Sequence, residues 1–165
     1  MPLTPFHLGY PLIAGLVARS WFSIPAAMMG SVILDLEPLF RILSGMETSH
    51  GQFHSFALAA VVGLVLGIIV WLLRKRLDSA TKLFGVKQKT TAKSAFTGAL
   101  FGTFSHVTLD ILMHSPESGF RAFWPFSDAT FFEQWAPFWM HAVSAVVLLV
   151  AVALYVIVVA RENKQ

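Results

Sequence analysis

The chain has 165 residues, of which 56% are hydrophobic and only 13% charged, with no cysteine and a formal net charge of +3. A soluble domain of this size carries about 25% charged residues, so the composition argues against a water-exposed globule. The lack of cysteine excludes a disulfide framework or a thiolate metal site, so any transition-metal site must be built from His and carboxylate.

Five stretches carry no formal charge: Met1–Ala18, Ser20–Leu34, Gly51–Leu73, Ser94–Leu109 and Gln134–Ala160. A spanning helix needs about 20 apolar residues. The spacing predicts an all-α integral membrane bundle of about five helices forming one unit over residues 1–165. The first runs from Pro5 to Arg19 and the second from Ile24 to Asp35, with Pro38 as a stop signal just beyond. Both are short and are read as tilted spans, with a re-entrant pair as the alternative. The third covers Phe53–Leu73, the fourth Ser94–Met113 and the fifth Pro137–Ala160, with a basic loop over residues 74–93. The N-terminus lacks the basic region of a signal peptide and reads as the start of the mature protein.

Charge then sets an orientation. Ten Lys and Arg residues, including Arg74, Lys75 and Arg76, fall on one side of a five-span topology; only Arg41 and Arg121 fall on the other. The positive-inside rule makes the ten-residue side cytoplasmic. The N-terminus is therefore expected outside and the C-terminus inside, in the inner membrane. This distribution sets topology, and no nucleic-acid partner is expected. The segment from Phe120 to Trp139 is dense in Phe and Trp, as an interfacial belt requires, with a lid over a site as the sharper alternative.

All six histidines, His7, His50, His54, His106, His114 and His141, fall toward the outer ends of these helices, together with Asp35 and Asp110. His106 is the deepest, about 12 Å below His114 along a continuous helix. A single buried histidine is ordinarily a hydrogen-bonded structural residue, but six scattered ones have no reason to share a side. His50 and His54 are four apart, as are His106, Asp110 and His114 in turn, so each set stacks on one helical face. Imidazole and carboxylate are zinc ligands, and ionisable groups within spans point to function. His54, His106 and Asp110 form the expected core, with Asp35, His7, His114 and His141 around them and His50 nearest the loop.

The segments Thr4-Pro5-Phe6-His7, Leu34-Asp35-Leu36-Glu37-Pro38, His50-Gly51-Gln52-Phe53-His54-Ser55 and Ser105-His106-Val107-Thr108-Leu109-Asp110, with Trp124-Pro125 after them, resemble the membrane-bound metal-dependent hydrolases of bacterial and archaeal inner membranes. That group is distantly similar to zinc-dependent phospholipase C and the single-strand-specific zinc nucleases. The resemblance implies a zinc cluster with ligands in the order His7, Asp35, His54, His106, Asp110, His114 and His141. Two departures, Ala145 where the relatives place a Glu and Met1 where they use a mature N-terminal amine, leave two ions as the expectation.

Such a site suits phosphoester hydrolysis by metal-activated water. Asp110 is placed to bridge the ions, and Asp35 to ligate or to serve as general base; Glu37 is the alternative base. Arg41 and Arg121 read first as plain interfacial charges, with pairing to a phosphate as the alternative. The position at the outer face suggests a lipid or lipid-linked phosphate as substrate, with the bilayer as the immediate partner; a peptide or amide bond is the other substrate open to this chemistry. Two rival readings are a metal-ion transporter and a non-catalytic metal-binding membrane protein. A transporter places its ionisable residues near the midplane along a path, whereas the inner halves of the last three helices carry none.

Overall fold

A computed structural model of the chain describes residues 5–46, 51–113, 120–128 and 137–164. The described residues are helical and connected by turns and loops. A 3₁₀ turn at Pro5–Leu8 leads into α1 (Gly9–Val17), followed by α2 (Ile24–Ile33), α3 (Leu36–Leu43), a 3₁₀ turn at Gln52–His54, α4 (Phe56–Leu83), α5 (Ala92–Met113) and α6 (Pro137–Glu162). Helices α4, α5 and α6 are long and apolar enough to cross a membrane. The 3₁₀ turn and α1 together rise about 20 Å and α2 about 15 Å, short of the roughly 30 Å hydrocarbon core. These two shorter elements pack against the long helices, α1 on α6 and α2 on α5.

Two expected boundaries differ. Pro38 does not end the second helix; it sits in the first turn of α3, where its missing N–H would have had no helical partner in any case. The segment after Leu73 is not a loop throughout. Helix α4 continues through Arg74, Lys75, Arg76 and Lys82 to Leu83, because Lys, Arg, Leu and Ala are good helix formers. The charges mark where the chain leaves the apolar layer, and that is not where the helix ends. It ends at Gly85, whose φ of 75° permits paired closing bonds from Gly85 N–H to the Lys82 carbonyl (2.9 Å) and from Val86 N–H to the Thr81 carbonyl (3.0 Å). The same motif at Gly45 ends α3.

The tightest packing lies between α2 and α5. A Cβ on Gly102 would stand 2.3 Å from the Ala27 carbonyl oxygen and 2.9 Å from the Gly30 Cα. Small residues that let backbones approach this closely are the usual interface of membrane helices. Ala26, Ala95 and Ala99 continue the contact and are fully buried with Leu66 and Val70 of α4. By contrast, Leu64, Ile68, Leu72, Leu149 and Val156 turn outward, as lipid-facing residues do.

At the basic end, the Glu162 carboxylate pairs with the Arg19 guanidinium and accepts the Lys87 N–H at 2.6 Å. Gln88 accepts the Ile24 N–H (2.9 Å) and donates to the carbonyls of Arg19 (3.1 Å) and Phe22 (2.9 Å). The Asp78 carboxylate accepts both the N–H and the hydroxyl of Thr90. These polar groups fix the α1–α2 corner and the α4–α5 connection at one end of the bundle. His7, Asp35, His54, His106 and Asp110 gather at the other end.

Candidate metal centre

Four separate elements deliver those five side chains. His7 lies on the first 3₁₀ turn, Asp35 on the junction between α2 and α3, and His54 on the last residue of the second 3₁₀ turn. His106 and Asp110 lie one turn apart on α5. Ser55 fixes the position of His54 by capping α4, its hydroxyl accepting the Leu58 N–H at 3.3 Å. At the far end of α5, Thr91 and Ser94 cap each other's backbone N–H at 3.1 and 2.9 Å.

Ser31 of α2 ties two of the histidines together. Its hydroxyl donates to the His7 carbonyl at 3.1 Å, and its own carbonyl accepts from His106 Nδ1 at 2.7 Å. A carbonyl can only accept, so Nδ1 of His106 carries the proton and Nε2 presents a lone pair in the neutral ring. His54 is fixed in the same way: its Nδ1 lies 3.0 Å from Glu37 Oε2, which leaves Nε2 facing inward. The two Nε2 atoms are 3.3 Å apart. Asp110 Oδ2 stands 3.2 Å from His106 Nε2 and 3.5 Å from His54 Nε2. Asp110 Oδ1 turns the other way, 3.4 Å from His7 Nε2. Asp35 Oδ1 is 3.7 Å from His106 Nε2, and the rings of His7 and His106 meet edge to face with centroids 4.6 Å apart.

Imidazole nitrogens and carboxylate oxygens thus converge on one point, a donor set of the kind that could hold a cation. The spacing fits one. Ligands about 2.0–2.1 Å from a tetrahedral ion lie about 3.3–3.4 Å from one another. The His54, His106 and Asp110 donors are separated by 3.2 to 3.5 Å. A second group of donors consists of His7, Asp35 and His106. All five side chains are buried, and Asp35 is the most accessible at 6% of its surface.

Residues 3–165 match the YdjM inner membrane protein family. The chain belongs to that family. No curated protein and no solved structure matches it. Family membership and the three apolar helices make this YdjM-family chain a membrane protein.

The structure of this YdjM-family chain brings together five of the eight candidate ligands. His50 and His114 lie outside the described residues. His141 is half-buried at the start of α6, its ring meeting Phe6 edge to face at 6.2 Å, and it is outside the two close donor groups found among the described residues. Arg121 pairs with Asp128 at 3.1 Å on the exposed surface. Glu37 and Ser31 are contributors that the histidine pattern did not reveal. Glu37 stands 17 residues before its partner on a helix of its own, and the signal that could have found it is Gly45, which closes that helix. Part of the aromatic segment reaches the centre: Phe120 is buried with its ring 6.2 Å from that of His54. The Ala122 carbonyl accepts the Phe56 N–H at 2.8 Å and holds the segment against α4. Phe126, by contrast, is exposed.

Proposed function

We propose that this protein is a membrane-bound metal-dependent hydrolase that cleaves a phosphoester of a lipid or lipid-linked substrate. The family is described by its location, so the reaction rests on the site. The observation that carries it is the Asp110 carboxylate, whose two oxygens address different histidines: Oδ2 faces His54 and His106, and Oδ1 faces His7. A carboxylate so placed suits a bridge between two divalent ions, most naturally zinc given an all-imidazole and carboxylate donor set. His54, His106 and Asp110 would hold one ion; His7, Asp35 and the second Asp110 oxygen would hold the other. Bound there, divalent ions would supply Lewis acidity and lower the pKa of a bound water toward neutral pH.

The chain's own residues do the rest. Glu37 and the Ser31 carbonyl hold His54 and His106 in the tautomer that offers Nε2, as carboxylates and carbonyls behind metal-bound histidines commonly do. Asp35, the most accessible of the five, would either complete the ligands of the second ion or orient the attacking water and take its proton. Burial of the remaining ligands keeps bulk water out of the centre.

Hydrolysis of chromogenic phosphodiesters and phosphomonoesters by zinc-loaded protein in detergent tests this reading. The expected outcome is turnover that disappears with a chelator and falls about 10²–10⁴-fold in Asp35→Asn. No metal-dependent turnover on either ester class would remove the phosphoesterase assignment. Zinc uptake into proteoliposomes would favour the transporter reading, against which the charge-free stretch Ser94–Leu109 of α5 stands. Full function after alanine substitution at His54, His106 or Asp110 would favour a non-catalytic role.

A further inference from the structure

Beside the metal centre, α3 forms one wall of a cavity of about 460 Å³, within the roughly 300–1,000 Å³ typical of ligand sites. Its walls are apolar, with Leu36 and Phe40 of α3, Phe53, and Val62 of α4 among them. Among the described residues its charged groups are Glu37 and Arg41, one turn apart on α3 and therefore on one face. Glu37 lines the cavity and also receives His54 Nδ1, so the cavity and the metal centre share a wall. Glu37 and Arg41 also crowd the backbone of Gly51: a Cβ there would stand 2.1 Å from Glu37 Oε1 and 3.0 Å from Arg41 Nη1. Asp35, the most accessible ligand, immediately precedes this wall in the chain. Leu36, Phe40 and Leu43 are among the exposed large apolar side chains, so α3 offers the surroundings an apolar surface as well as a groove.

We propose that this groove holds the hydrocarbon chain of an anionic phospholipid, with the Arg41 guanidinium on its phosphate, so that the headgroup lies against the Glu37 wall of the metal centre. Four observations point to that occupant: the apolar lining, one guanidinium suited to bidentate phosphate recognition, the adjoining centre, and the membrane that surrounds the chain. This inference deepens the hydrolase reading and rests on it only for the fate of the headgroup.

The test uses phosphatidic acid carrying a photoactivatable group in its acyl chain, mixed with the full chain in detergent. Crosslinks are expected to concentrate on residues 33–46, 53 and 62. Arg41→Ala is expected to weaken labelling about tenfold or more, the loss of one charge-assisted contact, and Arg41→Lys to weaken it less. Leu36→Glu, at a half-exposed position, should lower it similarly by placing a carboxylate in the groove. Unlabelled phosphatidic acid should compete, diacylglycerol should compete about tenfold more weakly, and inorganic phosphate should not compete. Asp110→Ala should lose metal and hydrolysis yet label like the wild type, so failure of the hydrolase reading leaves this one standing. Crosslinks spread evenly over the outward faces of α4 and α6 would overturn the proposal, as would labelling indifferent to Arg41→Ala, equal competition by diacylglycerol, or competition by inorganic phosphate. The wild-type map decides the matter even if a variant fails to fold.

Discussion

At the scale of single residues, the centre depends on groups that set the direction of an imidazole as much as on the imidazoles themselves. Glu37 stands behind His54, and the Ser31 carbonyl behind His106, each 3.0 Å or less from Nδ1. Removing such a supporting group typically costs 10–100-fold in metal affinity. Glu37→Gln is therefore expected to weaken zinc binding by about that factor while leaving the helical content unchanged. A competition titration against a chromogenic chelator would read it, and an unchanged affinity would show that Glu37 does not orient His54. That His54, His106 and Asp110 lie close together was legible in the sequence, because the one-turn spacing of His106 and Asp110 and the outer-end clustering of His follow from spacing and charge alone. Glu37 was legible only as an alternative base; its partnership with His54 was not, because it is a contact between separate elements that spacing along one helix does not encode. Ser31 acts through its backbone carbonyl as well as its hydroxyl, and a carbonyl leaves no mark on a sequence.

At the scale of elements, the close contact between α2 and α5 carries Ser31 to His106. Gly102 and Gly30 make that approach possible. Replacing Gly102 with Leu would force the helices apart, at a cost of about 1–3 kcal/mol for overpacking, and should also separate the Ser31 carbonyl from His106. Lower thermal stability in detergent together with weaker zinc binding is the expected pair of outcomes. Unaltered stability would mean that α2 and α5 do not approach as closely as the structure shows. The long apolar helices were legible from charge-free runs. The continuation of α4 to Leu83 and the separate α3 were not legible, because a basic run reads as a helix end and a proline as a terminator, and here neither stops a helix. A boundary of polarity at Arg74 is not a boundary of backbone hydrogen bonding, and a proline in a first turn begins a helix and does not end one. Gly45 and Gly85, with φ of 68° and 75°, were the local signals of where those helices stop.

At the scale of the whole molecule, the bundle has a centre of His and Asp at one end and a clasp of Arg19, Glu162, Lys87 and Gln88 at the other. Positive charge gathers at the clasp end, so that end is expected to face the cytoplasm and the ligand end the outer side. Because the chain contains no cysteine, single substitutions can report this cleanly. Ser44→Cys should react with a membrane-impermeant maleimide in intact spheroplasts, and Ser79→Cys only after permeabilisation; the reverse pattern would invert the topology. The all-helical membrane bundle was legible because hydropathy and length constrain spanning segments strongly. How four elements converge on one point depends on tertiary packing at Gly30, Gly102 and the turn before Ser55, which spacing alone does not specify.

The central claim is that His7, Asp35, His54, His106 and Asp110 hold divalent metal, and elemental analysis of purified, zinc-supplied protein tests it most directly. About two zinc ions per chain are expected in the wild type, and loss of both in Asp110→Ala at unchanged helical content. A wild-type protein without bound metal, or a stoichiometry that survives Asp110→Ala, would contradict it.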